Sequence, residues 1–334
     1  MDFRVNKKSV ARIIGSGSFL PSKVLTNKEL ETMVDTSDEW IVTRTGIKER
    51  RVADDEEHTS TMGIHAAKMA IKEANIDPEK LDLIIVATCT PDYLFPSTGA
   101  LIQREIGAKN AAAFDLQAAC SGYIYALSIA KNYIEANNYQ NILIVASEKI
   151  SSIVDYEDRN TCVLFGDGAA AAVVSNEGKG LEIRNVSLGT DGHQAELLIL
   201  PGGGTRIPPT KKSIDDKMHF LKMEGREVFK HAVRLMEESA RACLASHNLT
   251  GDDLAWLVPH QANIRIISAI AKRFNLDDNH VYKTVHKYGN TSASGVAIAL
   301  DELSKEKKLK AGDHVLLVAF GAGLTWGASL LTQN

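Results

Sequence analysis

A spacing that recurs along the chain constrains its fold more than any single motif. Leu81–Val86 (LDLIIV) matches Leu254–Pro259 (LAWLVP) at an offset of about 173 residues (254 − 81). Asn141–Ala146 (NILIVA) matches His314–Ala319 (HVLLVA) at the same offset, 314 − 141 = 173. Between them, Cys120–Leu127 (CSGYIYAL) matches Ala293–Leu300 (ASGVAIAL), with Ser, Gly, Ala and Leu in register. Apolar strands match one another by chance, but three pairs at one offset point to an internal duplication. The chain therefore reads as two similar halves, residues 1–178 and 179–334, each rich in βαβ units. A pseudo-two-fold axis between them would bring the Cys120 and Ala293 helix starts to one cavity.

The elements alternate. Val10–Gly15 reads as an opening strand, and Asn27 as the cap of a helix Lys28–Val34. His58–Ala74 shows helical periodicity and ends before Asp77–Pro78, and Asp167–Ser175 reads as a core strand closing the first half. Apolar strands separated by helices predict a mostly parallel, buried sheet. The Gly- and Pro-rich stretch Gly202–Lys212 predicts a surface excursion that could act as a flap.

Composition narrows the function. The 334 residues suffice for a large core, and 44% hydrophobic with 24% charged residues is ordinary for a globular chain. A formal net charge of −4 gives no general attraction to nucleic acid. Cys89, Cys120, Cys162 and Cys243 lie far apart, without the spacing of a metal site or a disulfide framework. Scattered cysteines fit a reducing, cytosolic compartment. Met1–Lys8 lacks the apolar run of a secretory leader, and no run approaches the roughly 18 apolar residues of a membrane span.

Chemistry concentrates at element ends. Ala111–Gln117 reads as a strand, Ala118–Gly122 (AACSG) as a sharp turn, and Tyr123–Ile134 as an apolar helix. Cys120 would then feel the free N–H groups and positive dipole end of that helix, which favour the nucleophilic thiolate. His260 follows the apolar run Leu254–Val258, and Asn290 precedes the second helix start. Alone, each has a plainer reading: a packed cysteine, a core histidine, a turn asparagine. Together they form a candidate catalytic set. Gly321–Gly327 (GAGLTWG) resembles a dinucleotide loop, but the residues after it read as a strand, not a helix. Its glycines would instead admit a ligand close to backbone N–H groups.

These segments resemble β-ketoacyl-acyl-carrier-protein synthase III, the initiating condensing enzymes of the thiolase-like superfamily. The resemblance spans nearly the whole chain and is carried by Thr36–Ile47, Ala118–Gly122, Phe165–Gly168, Val258–Asn263, Gly289–Ser292 and Leu324–Gly327. It implies a five-layered α-β-α-β-α fold of two duplicated halves, and a Cys120–His260–Asn290 triad. It also implies an oxyanion hole from the N–H groups of Cys120 and Ala322. CoA would be held by Trp40, Arg44 and Arg159, and pantetheine by Gly225, Phe229 and Asn263. The carrier protein would dock on Gln261, Ala262, Asn263, Ile264 and Arg265, helped by Lys272 and Arg273. Phe95 would reach the acyl pocket of a second subunit in a homodimer. The substrates implied are an acyl-CoA and malonyl-acyl carrier protein, with no further cofactor and no metal. A polyketide- or quinolone-type condensing enzyme and a non-catalytic carrier-binding subunit are the alternatives. Ala322, where the family often has Gly, bears on the choice of primer, which the residues leave open.

Overall fold

The computed structural model describes residues 9–306 and 308–334. The N-terminal segment Met1–Lys8, with its expected lack of a leader, lies outside the described residues. Five strands of the main sheet build the first half: β1 (Arg12–Phe19), β2 (Leu83–Ala87), β3 (Ala112–Leu116), β4 (Asn141–Glu148) and β5 (Gly168–Ser175). Four build the second: β6 (Leu181–Thr190), β7 (Leu254–Pro259), β8 (His314–Gly321) and β9 (Thr325–Gln333). They form one hydrogen-bonded series, β3-β2-β4-β5-β1-β6-β9-β8-β7. The halves meet in this series where Arg12 and Ile13 of β1 pair with Glu182 and Leu181 of β6.

The duplication is visible in this order. β2-β4-β5-β1 and β7-β8-β9-β6 run in the same sequence with the same senses, one parallel pair followed by two antiparallel pairs. The sheet is therefore mixed. Among the described strands, β2–β3, β2–β4 and β7–β8 are the parallel pairs, which corrects the expectation of a mostly parallel sheet. β4 and β5 are both wholly buried runs, and such a run carries no sign of its direction.

The described helices complete the layers. α1 (Asp38–Thr45) lies near the site mouth, while α2 (Thr59–Ala74) and α3 (Thr98–Ile106) cover the outer face of the first half. α4 (Gly122–Glu135) and α7 (Ser294–Lys305) lie between the halves and pack on strands of both. α5 (Gly225–Ala245) and α6 (Ile264–Arg273) cover the second half. The result is the α-β-α-β-α stack. Small residues let the central layer close, since a Cβ on Gly122 of α4 would sit 2.9 Å from that of Ala87 and 3.5 Å from that of Ala293.

One local reading needs a further correction. The turn Asn27–Leu30 is capped by Thr26, whose hydroxyl accepts from the Glu29 N–H, not by Asn27. Asn27 is buried instead, with its amide shared between Asp38, the Ile47 carbonyl and Arg50. The Gly202–Lys212 stretch is a largely exposed excursion, as expected; its Gly202 N–H bonds Met218 O, Gly203 N–H bonds Ile207 O within it, and it runs into a short helix, Lys211–Asp215. No described helix is long and apolar enough to cross a membrane.

Candidate active site

β3 ends at Leu116, and the chain reverses through Ala118–Ala119 into a single tight turn, Ala119–Ser121, that leads to α4. Ala119 takes a left-handed conformation, with φ of 45°. For alanine this costs about 1 kcal/mol, held by packing on both sides. A Cβ on Gly321 would lie 2.6 Å from the Cys120 nitrogen, so the end of β8 must be glycine for this turn to fit. That glycine makes room for the nucleophile's backbone, which corrects the expectation that it admits a ligand. Cys120 itself is buried, and burial, aided by the charge of Glu148, pushes its thiol up to about 12 against a stabilising contact with Ser292. The expected depression of its pKa by the helix start is outweighed by desolvation.

The second half supplies the facing groups. His260 follows β7, its N–H donated to Val318 O at 2.7 Å. It is 3% exposed, and burial lowers its pKa to about 4, so the imidazole is neutral at neutral pH. Its Nδ1 has no partner among the described residues. Asn290 is fixed at three atoms. Its N–H donates to Leu164 O at 2.8 Å, its carbonyl accepts from Gly166 N–H at 3.0 Å, and its Oδ1 accepts from Ser292 N–H at 2.9 Å. With Oδ1 occupied, the amide NH2 is what Asn290 can offer to a ligand. Cys120, His260, Asn290 and Ser292 line one cavity of about 760 Å³, whose remaining wall includes the apolar Phe165, Met236 and Phe320. A recessed thiol faces two neutral hydrogen-bond donors, an arrangement suited to covalent acyl capture beside an anion-stabilising pair.

A family profile described as 3-oxoacyl-[acyl-carrier-protein (ACP)] synthase III C terminal matches residues 244–333, and its companion, 3-oxoacyl-[acyl-carrier-protein (ACP)] synthase III, matches residues 114–192. A β-ketoacyl-[acyl-carrier-protein] synthase III of Chlamydia pneumoniae is 56% identical over 334 residues, covering 100% of each chain. The chain belongs to the β-ketoacyl-acyl-carrier-protein synthase III family. A relative of the same name from Caldanaerobacter subterraneus is 51% identical over 97% of this chain and 98% of its own. The crystal structure of 3-oxoacyl-[acyl-carrier-protein] synthase III from Aquifex aeolicus superposes with a TM-score of 0.90 at 48% identity, covering 96% of this chain and 99% of that one.

The other positions that the synthase III resemblance assigns fall into place unevenly. Ala322, Gly225, Phe229, Asn263 and Arg44 all line the cavity. The Asn263 Oδ1 is already used, since it caps α6 by accepting from Ile266 N–H at 3.0 Å, which leaves its NH2 for a ligand. Trp40 stands outside that cavity, in a depression it shares with Arg44. The Arg44 and Arg159 guanidinium carbons lie 4.7 and 4.9 Å from the indole centroid, a stacking site in which the cations already occupy the aromatic surface. Phe95 is absent from the cavity of its own chain and is 85% exposed, beside exposed Tyr93 and Leu94.

The docking segment needs one correction. Gln261 is fully buried, donating to Pro259 O and Tyr282 O and accepting from the Thr284 and Val285 N–H groups. A side chain so satisfied is a structural brace and cannot touch a partner. Ala262 lines the cavity and Ile264 packs against Gly46. Arg265 and Lys272 are exposed, seven residues apart and so on one face of α6. Arg265 also lies over the Phe229 ring at the cavity. Arg273 is paired at 3.2 Å with Glu237, a carboxylate it shares with Arg241.

Two residues beside the nucleophile, Ser292 and Glu148, are not among the positions expected from the sequence. Ser292 is hidden in a turn motif. Glu148 has a visible signal, as the one acid in the otherwise apolar or small strand Ile142–Glu148.

Proposed function

We propose that this chain condenses a short acyl-CoA with malonyl-acyl carrier protein, giving β-ketoacyl-acyl carrier protein and starting fatty acid synthesis. The observation that carries the reading is one cavity joining Cys120 to His260 and Asn290 in a chain of this family. In the first half-reaction Cys120 loses its proton as its sulfur attacks the acyl-CoA carbonyl, and the N–H groups of Cys120 and Ala322 stabilise the oxyanion. The intermediate collapses, CoA leaves and takes up a proton in place of the one Cys120 released, and the acyl group stays on sulfur. In the second, malonyl-carrier protein loses CO2, and the electron pair left behind spreads onto the thioester oxygen. Neutral His260 and the Asn290 NH2 donate hydrogen bonds to that oxygen. Each is worth about 3 kcal/mol in the transition state. The carbanion then attacks the acyl thioester and expels the Cys120 thiolate, which is reprotonated. Loss of CO2 generates the carbanion without proton abstraction, which fits a histidine whose burial keeps it neutral, and no step needs a metal or a further cofactor.

Trp40, Arg44 and Arg159 would take the CoA nucleotide, and Gly225, Phe229 and Asn263 the pantetheine. An acidic carrier would meet Arg265 and Lys272, with Arg273 a weaker third charge. The exposed Phe95 suits a homodimer in which each protomer lends an apolar tip to the other. The nucleophile would belong to residues 1–178 and the donors to 179–334, in a cytoplasmic enzyme. The polyketide- or quinolone-type alternative is not favoured, since the relatives at 51–56% identity carry the synthase III name. The gathered triad argues against a non-catalytic subunit.

The test is the intact mass of the protein after incubation with acetyl-CoA or isobutyryl-CoA, alongside Cys120→Ser. One added acyl group, absent in the variant, is expected, and the preferred adduct identifies the primer class. No adduct from either donor would overturn the short-primer reading.

A further inference from the structure

Glu148 closes β4 behind the nucleophile, fully buried. Five neutral groups turn to it. Cys89 N–H, Thr88 Oγ1 and Thr90 Oγ1 lie 3.0, 3.1 and 2.9 Å from Oε2. Cys89 Sγ and Ser292 Oγ lie 3.2 and 3.0 Å from Oε1. A carboxylate only accepts, so five donors suit its ionised form. Burial nevertheless raises its pKa, against the bonds from Cys89, Thr90 and Ser292. Ser292 belongs to the other half. It is left-handed, with φ of 54°, and its N–H holds Asn290 Oδ1 at 2.9 Å. It also lines the cavity with Cys120. A hydroxyl has one hydrogen, and the carboxylate 3.0 Å away competes for it with the Cys120 sulfur.

We propose that Glu148 is a positioning residue for the condensing step. By fixing the Ser292 hydroxyl it holds the strained turn that orients Asn290, and it competes with Cys120 for the Ser292 hydrogen, weakening the contact that stabilises the thiolate. The thiol thus stays quiet until an acyl-CoA fills the cavity, while the donor for the second half-reaction is kept aligned. The part concerning Asn290 rests on the function proposed above; the part concerning the Cys120 thiol does not.

Glu148→Gln separates the two effects. The Cys89 N–H cannot turn away, so the amide oxygen must take the Oε2 place and the NH2 must face Ser292. Ser292 then accepts from the amide, and its hydrogen is released toward Cys120. The negative charge that raises the Cys120 pKa is lost as well. Iodoacetamide alkylation of Cys120 at pH 7.5, followed by peptide mass mapping to distinguish it from Cys89, is expected to run about threefold faster or more. Condensation kcat is expected to fall about tenfold or more, with KM for acyl-CoA little changed. A generally loosened structure would not give that opposition with an unchanged KM. Alkylation no faster than wild type, or condensation at the wild-type rate, would overturn the proposal. Should that variant fail to fold, Ser292→Ala serves: condensation about tenfold slower with alkylation not increased supports the proposal, and wild-type condensation overturns it. Wild-type turnover in the same assay tests the function itself, so its failure is distinguishable.

Discussion

The turn at Ala118–Gly122 and the turn at Thr291–Gly295 are the same piece of backbone used twice. Each has a left-handed residue before the matched helix start, Ala119 with φ of 45° and Ser292 with φ of 54°, at the offset 292 − 119 = 173. Each leads into a helix of the central layer, α4 or α7. They differ in what they carry. The first presents Cys120 to the cavity. The second has a buried alanine at that place, Ala293, and its chemistry lies three residues earlier in Asn290. A duplicated turn can thus divide a two-step reaction, with the nucleophile on one copy and the anion's donor on the other. Burial acts on both sides of the cavity: it raises the thiol to about 12 and lowers the neighbouring imidazole to about 4, which keeps the latter a neutral donor.

The comparison predicts graded effects. Cys120→Ala should lower condensation about 10⁴-fold or more, because no other group can carry the acyl chain. Steady-state turnover measures it, and appreciable residual activity would break the assignment. His260→Ala and Asn290→Ala should each cost about 10²–10³-fold in kcat, the loss of one donor. An effect in KM alone would point to binding instead.

A third prediction concerns His260 and pH. Its folded pKa lies below the ordinary 6.5, so the unfolded chain takes up the proton first as pH falls. The stability linked to the neutral ring is complete above about pH 6.5 and is lost as pH falls toward 4. Between pH 7 and 4.5 the wild type should lose about 2–3 kcal/mol more than His260→Gln in urea unfolding. Equal losses would mean the ring is not desolvated.

The smallest effect sharpens the backbone comparison. A Cβ at Gly122 would lie 2.9 Å from that of Ala87, whereas one at Gly295 would meet Thr291 Oγ1 at 3.3 Å and the Gln261 Cβ at 3.4 Å. Gly122→Ala should cost about 1–3 kcal/mol of stability, and Gly295→Ala about 1 kcal/mol or less. A reversed order in urea unfolding would show that the first turn is the looser one.

The same physics decides which features are legible in the sequence. The repeat is legible because buried strands keep apolar residues at fixed positions, and Cys120, His260 and Asn290 are legible because they sit where such strands end. Strand direction is not, since a wholly apolar run such as β5 looks alike either way. Gln261 suggests a surface residue because glutamine usually is one; only the fold shows four backbone groups closing around it. The Cys120 pKa is not readable from its neighbours in sequence, because the helix start is local and visible while desolvation comes from distant segments.

The central claim is the division of labour between the two turns, and the two half-reactions measured separately test it most directly. Acyl transfer from acyl-CoA to protein would be read by intact mass, and CO2 release from malonyl-carrier protein by labelled substrate, in Cys120→Ala and Asn290→Ala. The account predicts that Asn290→Ala still takes up the acyl group but releases little CO2, while Cys120→Ala takes up none and still decarboxylates. Loss of acyl uptake in Asn290→Ala as complete as in Cys120→Ala would contradict it.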